Sequence, residues 1–178
     1  MSSHTESITQ LEKLHRSILA LWIPPVLWIT MIAFGGGSAL SSGHTLVWLG
    51  RLLASFHLSI STLNQLNFVL RKTGHFSVYA ILSFLLFRSW RDTLVRDYSP
   101  RITDYVPSWS ARAAVLAVLG TMLVASLDEF HQSLANTRTA AVRDIVLDTF
   151  GGVFAQLVLL VFLINRRRGS SSVRRPSS

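Results

Sequence analysis

Residues 18–34 read ILALWIPPVLWITMIAF, followed by Gly35-Gly36-Gly37, and no charge occurs anywhere from Ser17 to Gly43. A helix crossing a hydrocarbon core of ~30 Å needs about 20 predominantly apolar residues, so this stretch qualifies by itself. The pair Pro24-Pro25 is expected to kink or locally unwind it, which a surrounding bundle tolerates. The rival reading is a cleaved signal peptide with small residues at Gly37–Ser38–Ala39. Glu6 and Glu12 ahead of the run, and the length of the run, favour a crossing.

Working outward, the same pattern recurs. Thr73–Phe87 lies between Lys72 and Arg88, Ala113–Leu127 between Arg112 and Asp128, and Thr149–Asn165 between Asp148 and Arg166. Each apolar run is only about 15–17 residues, so each must draw a polar flank into the membrane to span it. Across all 178 residues, charged types make up 15% against a typical ~25%, while mean hydropathy is +0.41. Those figures exclude a disordered chain, a coiled coil and an ordinary soluble enzyme. The absence of cysteine excludes disulfides, thiolate metal sites and a cysteine nucleophile. A net charge of +8, clumped between long uncharged runs, fits a membrane surface better than nucleic acid. The expected fold is therefore all-α, an integral membrane bundle of four transmembrane helices.

Lys and Arg set the orientation. Lys13 and Arg16, then Arg88, Arg91, Arg96, Arg101 and Arg112, then Arg166, Arg167, Arg168, Arg174 and Arg175 make twelve on one side. Arg51, Arg71, Lys72, Arg138 and Arg143 make five on the other. Both termini are expected to be cytoplasmic, in a bacterial inner membrane. Residues 1–16 form an N-terminal tail, 17–165 the membrane domain, and 166–178 a disordered polybasic tail near anionic headgroups. Between the first two spans, Leu46, Leu49, Leu53, Phe56, Ile60 and Leu63 recur at steps of three and four. That predicts one helical face, lying in the interface or dipping in as a re-entrant helix, with a fifth crossing as the alternative.

With this topology the polar flanks of the three short helices all fall at the outer end. Lys72, His75 and Tyr79 share one helical face; Asp128 and Gln132 are four apart, as are Asp144 and Asp148, and Gly151 and Gly152 continue that last face. Ionisable groups at membrane depth cost roughly 2.5–3.5 kcal/mol each on insertion scales, so they turn inward and pair. Asp128, Glu129, Asp144 and Asp148 are thus expected to face Lys72, Arg138 and either Arg143 or Arg71. One outcome is an ion-paired clasp. The other is an outer-side pocket in which Arg138 and Lys72 hold a phosphate or carboxylate, with His75 and Gln132 as hydrogen-bonding partners.

These residues also form two ordered blocks. Lys72-x-x-His75-Phe76-x-x-Tyr79-Ala80-x-Leu82 is followed by Asp128-Glu129-x-x-Gln132, then Arg138, Asp144 and Gly151. Over about residues 70–155 the chain resembles the VanZ-like family of small integral membrane proteins. The family pattern usually has Asn where this chain has Asp148, and Pro-Gly where it has Asn136-Thr137. The resemblance implies a cell-envelope protein with a part in tolerance of glycopeptide antibiotics; it supplies no mechanism.

Three functions of different classes follow. A non-enzymatic module would bind membrane lipids, specifically an anionic lipid or a lipid-linked cell-wall precursor, at the outer-side site. An intramembrane enzyme would use His75, His131, Asp128 and Glu129 as a metal site or one carboxylate as a base. No His-Glu-x-x-His, Gly-x-Ser-x-Gly or Walker loop is present, so the reading leans away from an enzyme, and no metal or cofactor is expected. Transport is the third, although the inner halves offer only Ser83 on the second span and Thr121 with Gly120 on the third.

Overall fold

The computed structural model describes residues 2–35, 42–98, 109–134 and 142–172. All regular structure among them is helical: α1 (Ser2–Gly35), α2 (Ser42–Leu52), α3 (Ile60–Tyr98), α4 (Ala111–Leu134) and α5 (Val142–Ser172). A single 3-10 turn, Ala54–Phe56, separates α2 from α3. Two stretches, Ala111–Leu134 and Val142–Asn165, are long and apolar enough to cross a membrane, and Leu19–Gly35 is a shorter apolar helix.

Residue pairings fix the helix directions. On α1 and α3, Leu21 meets Ser89 and Trp28 meets Val78, so the two run antiparallel. On α3 and α4, Tyr79 meets Asp128 and Leu86 lies against Gly120, again antiparallel. On α3 and α5, Lys72 meets Asp144 and Ser83 meets Gly152 and Gln156, so these two run parallel. The start of α1, the end of α3, the start of α4 and the end of α5 therefore share one end of the bundle. That is the end carrying the arginine clusters.

The membrane-facing surface is inverted relative to a soluble protein. Leu119, Leu123, Phe154, Leu157, Val161 and Phe162 are all more than half exposed, an apolar belt that water would penalise and lipid would not. The interior is built on small residues. Ala113, Ala117, Thr121 and Ala125 recur every fourth residue on α4, all fully buried, so neighbouring backbones approach closely. Leu82, Leu86 and Phe87 of α3 fill the space against them.

Pro24 and Pro25 lie inside α1, which is assigned as one helix through both, so local unwinding is not what this sequence does. Pro25 has no N–H to donate to the carbonyl of Leu21. The Ser89 hydroxyl of α3 donates to that carbonyl instead, at 2.7 Å, and shares itself with Leu85 O at 3.1 Å. Trp22 stacks edge-on against Trp90 with centroids 4.9 Å apart, and Trp28 Nε1 donates to Val78 O at 3.0 Å. With Ile32 in the core, α1 packs as a wall of the bundle.

The helical face expected across Leu46–Leu63 is broken. The backbone of His57 takes a left-handed conformation (φ 50), which ends the 3-10 turn. Ser59 then caps a new helix, its Oγ accepting from Thr62 N at 3.2 Å and its carbonyl from Leu63 N at 3.0 Å. Turn and cap chemistry thus override the apolar period, and Phe56 and Ile60 end up exposed. The 11 residues of α2 rise about 16 Å, half the thickness of a hydrocarbon core. At the other end α5 runs helical through Arg166, Arg167 and Arg168 to Ser172, where disorder was expected from residue 166.

Candidate functional site

The polar residues gather, with Arg71 and Arg143, at the end of the bundle opposite the start of α4 and the end of α5. Lys72 lies 16 residues before Arg88, Asp128 lies 17 after Ala111, and Asp148 lies 17 before Asn165. At 1.5 Å per residue, the layer lies about 24–26 Å along each of the three helices from the basic end, a distance comparable with the ~30 Å thickness of a hydrocarbon core.

Within the layer the side chains pair along the parallel α3–α5 seam. Lys72 Nζ forms an ion pair with Asp144 Oδ1 and also sits 5.6 Å from the centroid of Phe68. Three residues deeper, His75 Nδ1 lies 3.6 Å from Asp148 Oδ2, near enough for charge pairing though long for a hydrogen bond. Asp148 is 1% exposed. Gly151 makes this approach possible: a Cβ there would collide with the Phe76 carbonyl oxygen and lie 3.2 Å from its carbon.

A second set faces α4. Asp128 Oδ2 accepts from Tyr79 Oη at 3.0 Å and from Gln132 Nε2 at 2.9 Å. The fourfold spacing of Asp128 and Gln132 makes the latter bond local to one helix. Tyr79 stacks near His75, with centroids 6.5 Å apart and planes inclined by 22°. Glu129 is buried in the same layer, whereas His131 is exposed on the outer face of α4. Among the described residues, Asp128 Oδ1 and Asp148 Oδ1 are buried without hydrogen-bond partners.

One cluster escaped the sequence reading. Gln156 Nε2 donates to Ser83 Oγ at 2.8 Å and to Ser83 O at 3.1 Å, while Ser83 Oγ donates to Gly152 O at 3.0 Å. The signal was present, because Asp144, Asp148, Gly152 and Gln156 continue one face at steps of four. Ser83 is therefore not isolated. Beyond it the interior is mainly apolar, with Leu82, Leu86 and Phe87 in the core.

A half-open cavity of about 370 Å³ lies at this end between α1, α2, α3 and α4. Met31, Ile32, Leu70 and Val78 supply apolar wall, and Arg71, His75, Tyr79, Asp128 and Gln132 supply the polar part. Of the expected site residues, then, His75, Gln132 and Asp128 meet at the cavity. Lys72 and Asp144 do not line it; they form a clasp on the α5 side. Asp148 stands behind His75. Arg138 lies outside the described residues. Arg143 is exposed at the start of α5. Among the described residues, no three His, Asp or Glu side chains are placed to share a metal ion, and His131 points away from the others proposed for one.

A family model described as VanZ/LLP1 matches residues 12–164, from within α1 to the last turns of the apolar part of α5. No curated protein and no solved structure matches the chain.

Proposed function

The chain belongs to the VanZ/LLP1 family, and on that premise we propose that it is a non-enzymatic, four-pass protein of the bacterial inner membrane that binds an anionic lipid or lipid-linked phosphate at its outer end. The observation that carries this reading is the cavity: its apolar wall suits a lipid, and its polar side holds a cation and hydrogen-bonding groups. Its volume falls at the small end of ligand sites, enough for a headgroup and the first part of a chain. The excess of Lys and Arg at the opposite end, twelve against five in the sequence, supports cytoplasmic termini. Through display of such lipids the protein takes part in the envelope's response to glycopeptide antibiotics.

The test exploits Gly74, which lines the cavity and has nothing within 4 Å of a Cβ built on it. Gly74→Leu adds apolar bulk at the cavity wall from a position where a Cβ meets nothing. In native mass spectrometry of gently purified protein, the wild type retains a phosphate-bearing lipid and folded Gly74→Leu does not. Equal lipid retention by both contradicts the reading.

A second reading rests on a different observation: His75 lines the cavity with the Asp148 carboxylate behind it. That is the arrangement of an oriented imidazole base, which would make the protein an enzyme acting on an envelope lipid. Incubation with the retained lipid and mass analysis of products separates the two, since binding alone leaves the lipid intact.

A further inference from the structure

Adjacent residues on a helix face directions about 100° apart, and Arg71 and Lys72 are turned toward different neighbours. Lys72 is turned toward α5, where Asp144 pairs with it and Phe68 lies beneath it. Arg71 lines the cavity, and among the described residues that line it Arg71 alone is Lys or Arg.

Building on the lipid-phosphate reading above, we propose that Arg71, and not Lys72, is the residue that takes the phosphate of a membrane lipid in the outer-end cavity. Three observations converge. Arg71 lies 17 residues before Arg88, about 26 Å from the basic end, and a guanidinium on its flexible stem reaches outward to the headgroup level. Gly74, one turn deeper on the same side, leaves open space where a side chain would otherwise stand, room for phosphate oxygens beside the guanidinium. Further in, the cavity presents Asp128, whose negative charge opposes a second anionic group. The site therefore suits one phosphate at the rim. Arg71 also makes a contact within the protein, which is compatible with the role because guanidinium carries five N–H donors in a planar fork.

The experiment uses the full chain in a neutral detergent and measures lipid dissociation constants by native mass spectrometry. The probes are phosphatidylglycerol and a polyprenyl phosphate, with diacylglycerol and the free polyprenol as uncharged counterparts. Loss of one charge-assisted contact predicts that Arg71→Gln weakens the phosphate lipids by roughly ten- to a hundredfold, to the level of the uncharged ones. Lys72→Met is expected to lower thermal stability and leave the phosphate preference intact. Where Arg71→Gln does not fold, Arg71→Lys replaces it: loss of the bidentate fork lowers phosphate affinity with no change for the uncharged lipids. Whichever phosphate probe binds more tightly identifies the source, glycerolipid or isoprenoid. A preference lost in Lys72→Met and kept in Arg71→Gln, or undiminished in Arg71→Lys, overturns the assignment while the lipid reading stands. A wild type that binds charged and uncharged lipids alike overturns both.

Discussion

Gly151→Ala is the substitution on which the packing account can be tested most sharply. A Cβ at this position runs into the Phe76 carbonyl oxygen, with the Phe76 carbonyl carbon at 3.2 Å and Cα at 3.3 Å, all of them backbone. Unstrained carbon contacts lie near 3.5–4.0 Å, so α5 must retreat from α3 by roughly half an ångström to one ångström. The Ser83–Gly152 and Gln156–Ser83 hydrogen bonds, at 3.0 and 2.8 Å, then stretch toward or past the geometric limit. Overpacking costs about 1–3 kcal/mol and two interhelical hydrogen bonds about 0.6 each, while the gain in helix propensity returns about 1. The net loss is about 1–3 kcal/mol. Unfolding by a denaturing detergent in mixed micelles, followed by tryptophan fluorescence, measures it. Gly74→Ala is the control: with open space around the new methyl, it is expected to be neutral or stabilising by up to about 1 kcal/mol. Gly152→Ala gives the contrast, because its Cβ meets a side-chain methyl, Thr121 Cγ2, at 3.0 Å. Thr121→Ser removes that methyl and should rescue Gly152→Ala. No side-chain truncation should rescue Gly151→Ala. A Gly151→Ala protein as stable as wild type, or one rescued by Phe76→Ala, refutes the backbone-contact argument.

Ser89→Ala is expected to cost about 1–2 kcal/mol by leaving the Leu21 carbonyl unpaired beside Pro25, and adding Pro25→Ala, which restores an N–H for that carbonyl, should recover part of the loss in a double-mutant cycle. At the clasp, Lys72→Met or Asp144→Leu alone should destabilise more than the two together, since each single change strands a charge at membrane depth; thermal midpoints in detergent decide this. The cysteine-free sequence allows single thiols to report topology. With impermeant reagents on intact cells, Ser133→Cys is expected to label from outside and Ala111→Cys only after permeabilisation.

The membrane class, the helical state of residues 73–87, 113–127 and 149–165, and the gathering of polar side chains at one end were legible in the sequence, because each depends on local hydropathy and on spacing along one helix. The lengths were not, since α3 (Ile60–Tyr98) and α5 (Val142–Ser172) continue well past their apolar runs. Pairing was legible only to the level of helix faces. Asp148 with His75 follows from faces that must meet, but the choice between Arg71 and Lys72 at the cavity depends on how α3 is rotated against α5. That rotation is set by Gly151 touching the backbone of Phe76, a tertiary contact that no periodicity encodes. The break at His57 was hidden for the opposite reason: apolar residues happened to keep a helical period across a segment whose turn and cap at Ser59 were stronger. Pro24-Pro25 could not reveal how the helix continues through them, because the partner for the Leu21 carbonyl lies 68 residues away, in Ser89 of α3. Gln156 was overlooked inside an apolar run, although its spacing from Asp148 placed it on the polar face.

The central claim is that a lipid phosphate occupies the cavity between α1, α2, α3 and α4. A phosphate lipid carrying a diazirine close to its headgroup, incorporated in membranes with the full chain and photolysed, tests it by peptide mapping. The account predicts adducts concentrated on the cavity residues, Met31 and Ile32 of α1 and Gly74 and Val78 of α3, and lost in Gly74→Leu. Adducts spread evenly over outward residues such as Leu119 and Phe162, and unchanged in Gly74→Leu, would contradict it.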